Sequence, residues 1–136
     1  MEKHFATYNQ SLALKELGFD EPCLAFWDGK NTDAFYFNNI RDASGDYVPF
    51  QKHDRLKWFG APLYQQVFRW FREKYNLYHV ITIADLGKYE TGNPDFQCAI
   101  YSKDPVVITN MDKYETYEEA ELACIDKLIE LLQHDK

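Results

Sequence analysis

The sequence predicts an α+β fold, a small single domain over residues 1–136 with an antiparallel or mixed sheet of four to five strands packed by three helices on one face. Three features lead there. Stretches with helical apolar spacing alternate with short β-branched and aromatic runs. Turn formers rather than crossover helices join those runs. No linker, repeat or low-complexity tract divides the chain. With 136 residues, 46% hydrophobic and 17% aromatic, the buriable area suffices for one core and excludes general disorder.

The first helix is expected over residues 8–17, with Thr7 or Asn9 as N-cap, Leu12, Leu14 and Leu17 as apolar positions, and Gly18 as the stop. Two apolar runs follow, Cys23 to Trp27 and Ala34 to Phe37, with the turn formers of residues 28–33 between them as in a hairpin. From Asn38 to Gly60 periodicity is lost while Tyr47, Phe50, Trp58 and Phe59 remain. This stretch is either a long irregular excursion or holds one short strand near Tyr47 to Gln51. Pro62 then opens a helix over residues 62–75, whose Leu63, Val67 and Trp70 with Tyr64, Phe68, Phe71 and Tyr75 form a broad apolar arc ending at Asn76.

Strands are expected at His79 to Ala84 and Phe96 to Ser102, joined by a long connection holding Gly87, Gly92, Asn93 and Pro94, and a short third strand at Val106 to Thr109. The last helix begins with Thr116 and Glu119 at capping-box spacing. Ala120, Ala123, Cys124, Leu128 and Leu131 mark one face, widened by Ile125, Ile129 and Leu132.

Charge narrows the partners. The chain carries 15 Lys and Arg against 22 Asp and Glu, a formal charge of -7, and residues 77–136 hold 12 acids and 5 bases. Such a field opposes the phosphate neutralisation that nucleic-acid binding requires, so nucleic acid is a disfavoured partner. No run approaches the ~20 apolar residues of a membrane span, and Met1 to Phe19 lacks the order of a signal peptide. Cys23, Cys98 and Cys124 are odd in number and form no C-x-x-C pair. A soluble chain with reduced thiols, residing in the cytoplasm, is expected.

Chemistry-bearing patterns are few. His4, His53, His79 and His134 have no partner at metal-ligand spacing, and no nucleophile or phosphate-binding motif occurs. No catalytic residue, cofactor site or metal site is assigned. Cys98 in a strand and Cys124 in a helical apolar stripe read as small inert hydrophobes. The best candidate surface is Tyr47, Phe50, Lys52, His53, Arg55, Trp58 and Phe59, a basic and aromatic group in an otherwise acidic chain. The plainer alternative folds these rings back over the sheet with the bases in water. Arg69, Arg72 and Lys74 read as the solvated side of the middle helix.

From residue 62 onward, the order helix, strands, helix resembles the double-stranded-RNA-binding domain in outline. That module needs bases at the start of its last helix, where this chain has Glu115-Thr116-Tyr117-Glu118-Glu119-Ala120-Glu121, so only the architecture carries over. Pro62 to Asn76 and Tyr114 to Leu132, with Leu12 to Pro22, are similar to small proteins of bacteriophages and bacterial mobile elements. That family has no established activity to carry over, and the resemblance implies an accessory protein working inside a bacterial cell. The leading expectation is a non-enzymatic protein that binds another protein, and an unpaired strand edge would allow a homodimer. The alternative is a small-molecule-binding protein or small enzyme with a pocket between helices and sheet, Trp58, His53, Arg55 or Tyr89 standing at its mouth.

Overall fold

The computed structural model describes residues 4–29, 31–37, 43–45, 59–85, 90–102, 107–109 and 112–134. Helices and antiparallel strands occupy them in an α+β arrangement. The elements run α1 Tyr8–Glu16, β1 Ala25–Asp28, β2 Asn31–Phe37, β3 Phe59–Ala61, α2 Tyr64–Tyr75, β4 Leu77–Ile83, β5 Phe96–Ser102, β6 Val107–Thr109 and α3 Tyr117–His134. Contacts gather them into two compact units, Met1–Tyr64 and Gln65–Lys136.

The expected sheet of four to five strands is replaced, among the described residues, by two antiparallel sheets of three strands, ordered β2-β1-β3 and β4-β5-β6. Periodicity reports that a segment is extended but says nothing of its neighbour. Each strand here pairs with others of its own unit.

In the first unit, α1 starts where Thr7 caps it. The Thr7 side chain accepts from the Gln10 N–H at 3.2 Å while the Gln10 side chain accepts from the Thr7 N–H at 3.1 Å, satisfying two donors that a helix start would otherwise leave open. It ends at Gly18, whose φ of 101° only glycine adopts without strain. The Phe19 N–H reaches back to the Leu14 carbonyl and the Gly18 N–H to Lys15, closing a Schellman cap with Leu14 and Phe19 both buried.

The hairpin β1–β2 holds the register Ala25↔Phe37 to Trp27↔Phe35 and shifts between Trp27 and Asp28. Asn31 to Asp33, expected in the turn, lie inside β2, where Asn31 pairs with Asp28 beyond the register shift. Phe5, Ala25, Trp27, Phe59 and Ala61 form the core, with Tyr8, Leu12, Phe35 and Leu63 against it. One buried carbonyl ties the pieces together. Ala6 O accepts from the Trp27 Nε1–H at 3.0 Å and from the Ser11 hydroxyl at 3.3 Å, while the Ala6 N–H donates to the Pro62 carbonyl at 2.8 Å.

The second unit contains β4, β5, β6 and α3, together with α2 from Gln65 onward. Leu77↔Ser102 to Ile83↔Phe96 pair β4 with β5, and Ala99↔Thr109 to Tyr101↔Val107 pair β5 with β6. Asn76 ends α2 at φ 55°, a left-handed position that asparagine tolerates. Ala120, Cys124, Ile125, Leu128 and Ile129 of α3 are buried, and α3 packs on β5 and β4. The Phe68 ring of α2 stacks on His79 of β4 with centroids 3.6 Å apart and planes 9° from parallel. His79 is thus the third residue of β4 and covered, not a residue at the strand start. Burial, then the charge of Arg72, pulls its pKa down to about 4.

Two consequences can be measured. Trp27→Phe keeps a ring in the core but deletes the indole donor to Ala6, and should cost about 1–2 kcal/mol in chemical denaturation. A cost near zero would show that Ser11 alone satisfies that carbonyl. The His79 pKa lies below its ordinary 6.5, so the neutral ring contributes fully above pH 6.5, loses ground as pH falls, and contributes nothing below about pH 4. The denaturation midpoint of the wild type should therefore drop relative to His79→Phe between pH 7 and 4.5. Parallel pH profiles would show that the stacked ring takes up its proton without penalty.

Candidate interaction surface

Of the seven residues expected to form the basic and aromatic surface, Tyr47, Phe50, Lys52, His53, Arg55 and Trp58 lie outside the described residues, as does Tyr89. Phe59 is described and is placed as the alternative with the rings folded back over the sheet has it, not on a contact surface. It is 2% exposed, opposite Trp27 in the β1–β3 register, with its ring 5.1 Å from Tyr8. Residues facing each other across a ladder share a side of the sheet, so Phe59 packs with Trp27, and all of β3 is buried. Phe59 belongs to the core of the first unit and offers no contact surface.

The second sheet supplies exposed apolar side chains instead. Even-numbered residues of β4 point away from the face that carries His79. Tyr78 is 47% and Val80 40% exposed, and Tyr101 of β5, directly opposite Tyr78, is 42% exposed. Ala99 stands opposite Val80, and Gln97 opposite Thr82. The inner residues Leu77, Cys98 and Ile100 are buried. A sheet packed by helices on one side presents its alternate side chains to solvent on the other, where polar residues are the usual choice. Here two tyrosines, a valine and an alanine occupy that face. In the first unit, Tyr36 and Phe37 are also exposed, but Tyr36 stacks on Phe26 and Phe37 meets Phe5 and Phe35 edge to face.

Polar groups gather in two other places. Asn93, Pro94, Asp95, Glu115 and Thr116 line an open groove of about 450 Å³. Its two carboxylates and its near-even mix of polar and apolar lining differ from the mostly apolar lining of a small-molecule pocket. At the start of α3, Thr116 accepts from the Glu119 N–H at 3.1 Å, as the capping spacing predicts. Glu115, Glu118 and Glu119 are exposed, whereas Glu121 is buried and accepts from Gln65 Nε2 at 3.4 Å. Burial and the charge of Glu118 raise its pKa. Its position one turn inside an acidic helix start concealed that burial, because Glu-rich first turns are ordinarily solvated.

None of the three cysteines is in a disulfide, and all are buried. Cys23 donates to the Glu21 carbonyl at 3.3 Å, and burial together with the Glu21 charge pushes its pKa up to about 12. A hydrogen bond between Cys98 and Cys124, then burial, holds the Cys124 thiol well above its ordinary range. Among the described residues no group of three or more His, Cys, Asp or Glu gathers as metal ligands would, and no helix is long and apolar enough to cross a membrane. No family model, curated protein or solved structure matches the chain.

Thiols that are buried and held protonated react slowly. A thiol-specific reagent at pH 8 should therefore modify none of the three in the native protein and all three after unfolding. Rapid native modification of any one would reveal local opening at that cysteine.

Proposed function

We propose that the protein is a binding module that acts by holding another protein against the outer face of its second sheet, with Tyr78 and Tyr101 as the central contacts. The observation that supports this most is their register. Two tyrosines directly opposite on adjacent strands, each more than two-fifths exposed, place rigid amphipathic rings side by side at little conformational cost, and such residues are enriched at binding hot spots.

Charge defines the partner. The face itself is neutral, but Asp85 and Asp95 close the Ile83–Phe96 end of the ladder, and residues 77–136 carry 12 acids against 5 bases. A partner with an apolar centre and a basic rim fits, and long-range attraction would speed its approach. The same field opposes nucleic acid. The likeness of Pro62 to Asn76 and Tyr114 to Leu132 to phage and mobile-element proteins makes a bacterial host protein the partner to seek.

The test is capture from a bacterial lysate by wild type and by the double variant Tyr78→Ser, Tyr101→Ser, followed by titration with the purified partner. Loss of two hot-spot rings should weaken binding by at least about tenfold, roughly 1.4 kcal/mol, with stability changed by less than about 1 kcal/mol because both rings are largely exposed. Wild-type affinity should also fall with added salt. Equal recovery of every protein by both forms would overturn the assignment.

A further inference from the structure

The same strand that presents Tyr78 and Val80 is also the edge of its sheet. Among the described residues, β4 pairs only with β5, in the order β4-β5-β6. The hydrogen-bond phase follows from one contact, in which the Ala84 N–H donates to the Asp95 carbonyl at 2.8 Å. Bonded pairs in an antiparallel ladder recur at every second residue, so Thr82, Val80 and Tyr78 exchange bonds with Gln97, Ala99 and Tyr101. Leu77, His79, Ile81 and Ile83 therefore turn their N–H and C=O groups outward, along an edge about 23 Å long.

Such edges are ordinarily blunted by lysine, proline or a bulge. The edge Leu-Tyr-His-Val-Ile-Thr-Ile has none of these, and its ladder with β5 runs without a register shift. The one side chain of the edge that can take up a positive charge, His79, lies stacked beneath Phe68.

We propose that β4 pairs antiparallel with β4 of a second copy of this chain, about a two-fold axis through Val80, to form one continuous six-stranded sheet. That register sets Leu77 opposite Ile83 of the partner subunit, His79 opposite Ile81 of the partner subunit, and Val80 opposite Val80 of the partner subunit. All four outward-facing residues of each copy fall in bonded positions, so every open N–H and C=O of the edge is used. Any other register leaves some of them unpaired. Tyr78 comes beside Thr82 of the partner subunit, a neutral pair on the outer face.

Charge favours a second copy as the occupant. Arg72, Glu73 and Lys74, net positive, precede β4, and Asp85 follows it. The two-fold reverses the strand, so the acidic end of each copy meets the basic end of the other, while the neutral strand keeps the like net charges of the two chains away from the contact line. The proposal rests on the binding face assigned above only in placing two such faces side by side, which would give a partner two sites at once.

The test reads molar mass in solution, independently of partner capture. The full chain, followed by sedimentation equilibrium from low micromolar to near-millimolar concentration, should convert from one chain mass to two. Val80→Lys and Val80→Glu each set like charges face to face at the axis and should each stay monomeric. Mixed in equal amounts, they should restore the dimer, a rescue that only a residue meeting its own copy can show. Circular dichroism identical to wild type should establish that both variants fold, as expected for a side chain exposed on the sheet surface; if one does not, Val80→Arg or Val80→Asp takes its place. A wild-type monomer throughout, a dimer indifferent to both charges, or a mixture that stays monomeric would each overturn the proposal.

Discussion

Helices cover one side of the second sheet, and that one-sidedness governs what this unit can do. Cys98, Ile100 and Leu77 are buried on the inner side, where α3 packs on β5 and β4 and the Phe68 ring of α2 lies on His79. Because side chains alternate along a strand, burial on one side commits the next residue to the other. Tyr78, Val80 and Tyr101 are exposed for that reason. The three keep 40–47% of their surface in water, and covering that apolar area would add stability. The adjacency of Tyr78 and Tyr101 on that face is the ground for the binding role proposed above.

The first unit depends on a different constraint, the satisfaction of a buried carbonyl. Ala6 O accepts from two side chains, Ser11 on the helix and Trp27 on β1, so helix and sheet are keyed to one atom. The rings of Phe5, Tyr8, Trp27, Phe35 and Phe59 then pack edge to face around that point, at centroid separations of 5.0–6.0 Å. The density of aromatics that the composition shows is consumed here by packing, which is why Phe59 has no surface role.

Much of the local structure was legible in the chain. Thr7, Gly18, Asn76 and Thr116 mark helix ends by capping chemistry that needs no distant partner, and each stands where that chemistry predicts. The strand Phe96–Ser102 was readable to the residue. The pairing of Tyr78 with Tyr101 on the exposed face was not legible. Tyr78 precedes the strand expected at His79 to Ala84, and only the placement of α2 and α3 decides which alternate residues of β4 are covered. The burial of Glu121 was not legible either, because its partner Gln65 lies on another helix.

By itself, then, the sequence determined where the chain turns, coils and extends, because capping, turn formation and periodicity are local properties of neighbouring residues. It also determined the sign of the electrostatic field, which depends on composition alone. Only the tertiary structure decided that the strands divide into two sheets, that Phe59 and Glu121 are buried, and that Tyr78 and Tyr101 stand together in the open. Those outcomes depend on which segment packs against which, and residues that meet across a ladder or between helices, such as Tyr78 and Tyr101 or Gln65 and Glu121, are far apart along the chain.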